Sequence, residues 1–413
     1  MKKWLQTISI LCIILIIALI PLTACSQEEE EKTLKIGMST PSTGVAAEKG
    51  APMGHANLDC IQYINEELGG VNGYQIEVLW LDNSYDAAKS ATIIKRFIDE
   101  DCLFFTTASS AQMSAMMELA NREAFPGFAA FSSTNITHPP QYIYGQTPDY
   151  GDDWAAFAKY YMENIWQGPG EPKMALHLLN NSTGYGARDA ARALADELGI
   201  ELLEPIMEHT ATTTSEITSL TTIKAQNPDI LYISSTPAPT ATIIKNAVEL
   251  DMFPGMTIAC GHASFTKALI DLAGADVVEN VYGVYPTVNW GDNVPAMEKM
   301  TEYCRKLHPD DEGNMDYIIS WAQSLIAAEI LRLAVENVGI DDLTPQKVEE
   351  FGFKKLSNFD VGGLHGPVSY SSGDNRLSKS VRVFQIQDGA IVPISDWVLA
   401  PLVKYEDLPW FGN

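Results

Sequence analysis

Residues 76–98 read IEVLWLDNSYDAAKSATIIKRFI. Residues 76–81 are rich in apolar, strand-favouring side chains, and Asp82-Asn83-Ser84 breaks the run. Residues 87–98 then keep helical spacing, with Ala91, Ile94 and Phe97 on one face. A strand, a polar loop and a one-faced helix make up half of a β-α-β unit. The pattern extends in both directions. Upstream, 34–38 read as a strand, and Ala56, Cys60, Ile61, Ile64 and Leu68 mark a helix closed by Gly69-Gly70. Downstream come a strand at 103–106, a helix at 111–122 and a strand at 127–131. This repeated order predicts a parallel sheet covered by helices on both faces.

A second series starts near Pro148. Strands are expected at 175–179, 230–234, 257–260 and 278–285, and helices at 187–198, 217–225, 240–250 and 267–272. Long helices follow at 294–307 and 318–338, and 380–398 reads as β structure turning at Asp388-Gly389. Two α/β series with an exchanged tail predict two lobes joined by crossing segments. Open α/β sheets bind ligands beyond the carboxyl ends of their strands, so a site is expected where the strand-to-helix loops of both series face each other.

The chain has 413 residues, 46% of them hydrophobic and 19% charged, which suits a folded globular protein large enough for two lobes. Nothing in its body reads as a bilayer span. The first residues differ: Lys2 and Lys3 precede an apolar run at 8–20, and the run ends at Leu22-Thr23-Ala24-Cys25. This is a secretory signal pattern, and its end resembles a bacterial lipobox, which implies lipidation of Cys25 after loss of residues 1–24. Residues 25–32 then form an acidic tether. The formal net charge of −26 argues against nucleic acid and anionic lipid as partners.

Beyond Cys12 and Cys25, the cysteines are Cys60, Cys102, Cys260 and Cys304. None has C-x-x-C spacing, so no metal or redox motif is expected. Export permits a disulfide, with Cys60–Cys102 the first pair to test; buried free thiols are the other reading. No G-x-S-x-G or H-E-x-x-H occurs, and the seven histidines are scattered, so no catalytic set is nominated and neither catalysis nor a cofactor is expected. Gly184-x-Gly186 lacks the third glycine of a dinucleotide loop, Asp189 standing in its place.

Several segments resemble the branched-chain amino-acid-type binding proteins of ABC transporters. They are Lys35-Ile36-Gly37 with Pro41-Ser42-Thr43-Gly44, the turn from Asn65 through Gly69-Gly70 to Gly73, Asp82-Asn83-Ser84, Ser109-Ser110, Ser133-Thr134-Asn135, Tyr185-Gly186, Pro228-Asp229 and Gly366-Pro367 with Ser371. The resemblance runs from about Lys35 to Trp397. It implies the type 1 periplasmic binding protein fold, an α/β architecture of two Rossmann-like lobes with three hinge crossings, expected near 146–148, 284–287 and 371–381. The lobes are expected at 33–146 with 288–370, and at 147–287 with 371–413.

Ser109-Ser110 ends a strand and opens a helix, where unpaired N–H groups and a partial positive charge receive a carboxylate; plain capping is the alternative. The resemblance adds Val45, Ala108, Ser133, Thr134 and Asn135 from one lobe and Tyr185 from the other, where Thr236 falls at a position that some members fill with Tyr. His262 falls where amino-acid-specific members carry an acid for the ligand's ammonium. This departure favours a carboxylate lacking the ammonium, with His262 either a donor or a core histidine and Asp292 another acid within reach. Tyr285 and Trp290 either line the pocket or pack the core. The partners so implied are a small amino acid or carboxylate, an ABC permease with its ATPase, and a membrane through the lipid anchor. The protein is expected as an exported monomer on the outer face of the cytoplasmic membrane, or in the periplasm where an outer membrane exists. A sensory binding protein of the same fold is the alternative function.

Overall fold

The computed structural model describes residues 32–403; the signal segment, Cys25 and most of the tether lie outside the described residues. The chain runs β1 (Leu34–Thr40), α1 (Ala47–Glu67), β2 (Ile76–Asp82), α2 (Ala87–Asp99), β3 (Phe105–Thr107), α3 (Ser110–Arg122), β4 (Gly127–Ala129), α4 (Thr134–Thr137) and β5 (Ile143–Gly145). It continues with α5 (Tyr150–Tyr160), β6 (Lys173–Leu179), α6 (Ser182–Leu198), β7 (Glu201–Leu202), β8 (Met207–His209), α7 (Ile217–Lys224), β9 (Ile230–Ser234), α8 (Pro237–Glu249) and β10 (Thr257–Cys260). Then come α9 (Lys267–Ala273), α10 (Ala275–Val278), β11 (Tyr282–Tyr285), α11 (Met297–Leu307), α12 (Met315–Val338), α13 (Pro345–Phe351), β12 (Ser380–Gln387) and β13 (Ala390–Leu399).

The first sheet has order β2-β1-β3-β4-β5 and is parallel throughout. The second has order β13-β12-β11-β10-β9-β6-β7, with β8 also on β6; only β12 and β13 run antiparallel to their neighbours. The β12–β13 turn is at Asp388-Gly389, both with positive φ, as a tight hairpin requires. The chain leaves the first sheet after Gly145 and the second after Tyr285. It sends α11, α12 and α13 back against β1 and α1, then enters β12. The connecting segments touch one another through the bridges Gly145↔Arg376 and Thr287↔His365.

Helix α12 is long and apolar enough to cross a membrane by length and composition, contrary to the reading that no such segment exists. Its apolarity has another cause: Ile318, Trp321, Ala322, Ile326 and Ile330 are wholly or almost wholly buried in the core with Leu34, Ile36 and Met38. The strand expected from 278 begins only at Tyr282, because α10 occupies 275–278 and Asn280 takes a left-handed turn.

The Cys60–Cys102 disulfide does not form. Cys60, Cys102, Cys260 and Cys304 are free and buried. Cys60 packs with Leu34 and Ile36 on one face of the first sheet, while Cys102 packs with Phe97 and Phe105 on the other. Burial pushes the Cys102, Cys260 and Cys304 thiols up to about 12.

Candidate ligand site

The loops after β1, β3 and β4 face the starts of α5, α6 and α8 and the segment after β10. Between them lies a narrow cavity with about 340 Å³ of atom-free space, part of which is open to solvent. The first half contributes Pro41, Ala46, Lys49, Gly50, Met53, Tyr85, Ala108, Ser109 and Phe131; the second contributes Tyr150, Thr183, Thr236 and Ala263. A wider groove opens beside it, lined by Tyr85, Ala111, Gln112, Ser114, Ser133, Thr134, Asn135, Asn181, Ser182, Tyr185 and Arg188, among others. Both spaces lie beyond strand carboxyl ends, where sheets of this kind bind ligands.

Local chemistry builds the walls. Asn83 takes the loop after β2 into a turn, its side chain accepting from the Tyr85 N–H at 3.0 Å, and this sets Tyr85 against the cavity. Asp82 accepts from Thr43 and Ser84, tying that loop to the first one. Burial acts upward on the Asp82 carboxyl, yet these hydrogen bonds outweigh it and hold the group down at about 2. Asn181 caps α6 by accepting from the Thr183 N–H at 2.9 Å and donates across the cleft to Tyr85 Oη at 3.4 Å. Ser110 and Ser182 hydroxyls meet across the same gap at 2.9 Å, one from each half.

The expected site residues divide into groups. Ala108, Ser109 and Thr236 line the inner cavity. Ser133, Thr134, Asn135 and Tyr185 line the groove, with the Arg188 guanidinium 4.4 Å from the centroid of the Tyr185 ring. Ser110 joins the halves between the two spaces. The Ser109 hydroxyl donates to Gln112 Oε1 rather than capping its own helix. Thr134 donates to Asp149 Oδ2 at 2.9 Å, and the Thr236 hydroxyl has no hydrogen-bond partner among the described residues. Val45 is 41% exposed and lines neither space; its neighbour Ala46 lines the cavity instead.

His262 and Tyr285 are fully buried and line neither space. His262 stacks on Phe131 with centroids 4.5 Å apart and lies 4.8 Å from the Tyr150 ring, so it backs the wall. Its Nδ1 stands 2.6 Å from Asp153 Oδ2 on α5. Burial pushes the Asp153 carboxyl up while His262 acts downward on it. Asp292 binds Arg382 at 2.9 Å instead of reaching the cleft, and Trp290 packs edge-on to Tyr317 in the core of the first half. The sequence reading missed Lys49, Met53, Tyr85, Phe131 and Tyr150. Their signal was weak: Lys49 and Met53 sit among glycines and a proline, and the others looked like core or loop aromatics.

Residues 33–390 match the family model described as periplasmic binding protein. The chain belongs to the periplasmic binding protein family. No curated protein matches it. This binding protein is similar in structure to a branched-chain amino acid ABC transporter protein from Thermus thermophilus with bound valine. The two share a TM-score of 0.81 and 20% identity over 90% of this chain and 97% of that one. It is also similar to the fatty acid ABC transporter substrate-binding protein from Thermomonospora curvata, with TM-score 0.79 and 19% identity over 89% and 93% of the two chains. The leucine-binding protein LivK from Thermotoga maritima gives TM-score 0.76 and 20% identity over 91% and 100%. These likenesses establish the type 1 periplasmic binding protein fold. The binding protein's inner cavity carries no Asp or Glu among its described lining residues; of the buried acids behind its wall, Asp153 meets His262 and Asp316 meets Lys49.

Proposed function

We propose that this chain is the extracellular solute-binding component of an ABC importer, taking a small carboxylate-bearing ligand, a branched-chain amino acid or a related aromatic or aliphatic acid. The inner cavity carries the reading: it lies between strand-end loops of both sheets, is walled by aromatic and aliphatic side chains, and has Ser109 at the start of α3 as a polar contact. Closure does the work without chemistry. A ligand that touches both halves only when they are together shifts the population toward that form by its differential affinity. The lobes are taken as 33–146 with 288–370 and 147–287 with 371–413, and the closed complex is what a permease would recognise. Export and a lipid anchor at Cys25 follow from the signal pattern.

Mature protein, warmed with carboxylates, amino acids and amides in turn, should gain thermal stability with at least one carboxylate, as mass action requires. No shift with any carboxylate removes the reading. Labelled fatty acid fed to the producing cells should appear on the wild type and not on Cys25→Ala; equal labelling removes the anchor.

A further inference from the structure

Among the described residues that line the inner cavity, Lys49 alone carries a charge. Its side chain is 9% exposed, and its ammonium pairs with Asp316 Oδ1 at the start of α12. The Tyr285 hydroxyl donates to the same oxygen at 2.7 Å. The ammonium also stands 4.4 Å from the centroid of the Phe131 ring and 5.5 Å from that of Tyr285. Two aromatic faces and one carboxylate oxygen thus hold the cation in place. Burial pushes the Lys49 ammonium down and Asp316 pulls it back up.

An ammonium has three donors. Asp316 takes one; the other two make no hydrogen bond among the described residues. A buried ammonium so poorly satisfied is costly, and an anion entering the cavity would complete its coordination. Asp316 Oδ2, Asp153 Oδ1 and Glu48 Oε1 also lack hydrogen-bond partners among the described residues, but none of these acids lines the cavity. The rest of the wall is apolar or neutral: Pro41, Met53, Phe131 and Ala263 beside the tyrosines.

We infer that Lys49 is the anion anchor of this cleft and selects a monocarboxylic acid with an apolar or aromatic body and no ammonium beside the acid group. The inference rests on the reading that the inner cavity is the ligand site. Asp316 and Tyr285 act through Lys49 as positioning residues.

The test uses mature protein and four probes, phenylacetate, 4-methylpentanoate, leucine and phenylacetamide, with affinity read by calorimetry. Wild type should bind the two acids about tenfold or more tighter than leucine or the amide. Lys49→Met combined with Asp316→Asn removes both charges together, so neither is stranded. It should lose that preference, the acid-to-amide affinity ratio falling toward one. Lys49→Arg, which keeps the charge, should retain the preference. Acid and amide bound equally by wild type, a preference for leucine, or acid selectivity surviving in the double variant would overturn the inference and leave the solute-binding reading standing. If the double variant does not fold, the wild-type ratio and Lys49→Arg decide. Binding of none of the probes removes the carboxylate cleft itself, and the inference with it.

Discussion

His209 shows how a buried side chain sets the response to acid. Its Nδ1 lies 2.9 Å from His177 Nδ1, its Nε2 lies 2.7 Å from Ser235 Oγ, and His177 continues the chain to Ser219 and Glu216. Burial, then His177, pushes His209 down to about 3, against 6.5 for a free imidazole. The folded state therefore holds it neutral, and the unfolded state binds its proton first. This contribution is complete above pH 6.5 and is lost as the pH falls toward 3. Between pH 7 and pH 5 it should cost about 2 kcal/mol of stability. His209→Gln keeps a polar partner for Ser235 and should flatten that slope in urea melts at the two pH values; equal slopes would refute the assignment. Residue types at strand ends were legible in the sequence because position fixes them: Ser109 and Thr236 sit where strand gives way to helix. Lys49 was not legible, because its burial is created by α12 and β11, far away in the chain.

Most strands were legible because burial on two faces leaves short, near-continuous apolar runs bounded by polar loops. The helices that failed did so for physical reasons. Helix α1 begins at Ala47, while its sequence pattern shows only from Ala56, because Gly50, Pro52 and Gly54 depress helix propensity over its first turns. Those small residues are demanded by packing: a Cβ on Gly50 would run into the Pro41 carbonyl, and one on Gly54 would lie 2.7 Å from Thr40 Oγ1. Close approach of helix and loop is what puts Lys49 and Met53 in the cavity. Helix α5 was passed over because residues 150–158 are all buried, leaving no polar face for periodicity to reveal. Its start was written in Asp149 and Asp152, which form a capping box. Helix α2 was legible, and its cap offers a clean test. Asp86 Oδ1 accepts from the Ala88 and Lys89 N–H groups at 2.8 and 3.0 Å, directly after Tyr85. Asp86→Ala should cost about 1 kcal/mol in a denaturant melt. An unchanged midpoint would show that Asn83 and Ser84 hold the turn alone.

At the scale of the molecule, the crossing segments and the cleft are tied with different strength. Arg376, on the segment leading to β12, donates to both oxygens of Asp152 at 2.7 and 2.8 Å and to Asp374 at 3.0 Å. It is 3% exposed, so the crossing region is pinned by a satisfied buried charge cluster rather than by loose chain. The second tie, Ser110 with Ser182, is a single hydrogen bond across the cleft, weak enough to open if the halves part as proposed. Replacing both serines with cysteine, in a chain starting at Ser26, turns that tie into a switch. The hydroxyls' 2.9 Å separation brings the two sulfurs near bonding range, and the four native thiols are buried and resist oxidation. Oxidation of the ligand-loaded double variant should stop release until dithiothreitol is added, and oxidation before loading should block entry. If the oxidised protein, its disulfide proven by mass, exchanges ligand at the reduced rate, then the cavity fills without the halves moving apart and hinged closure is wrong.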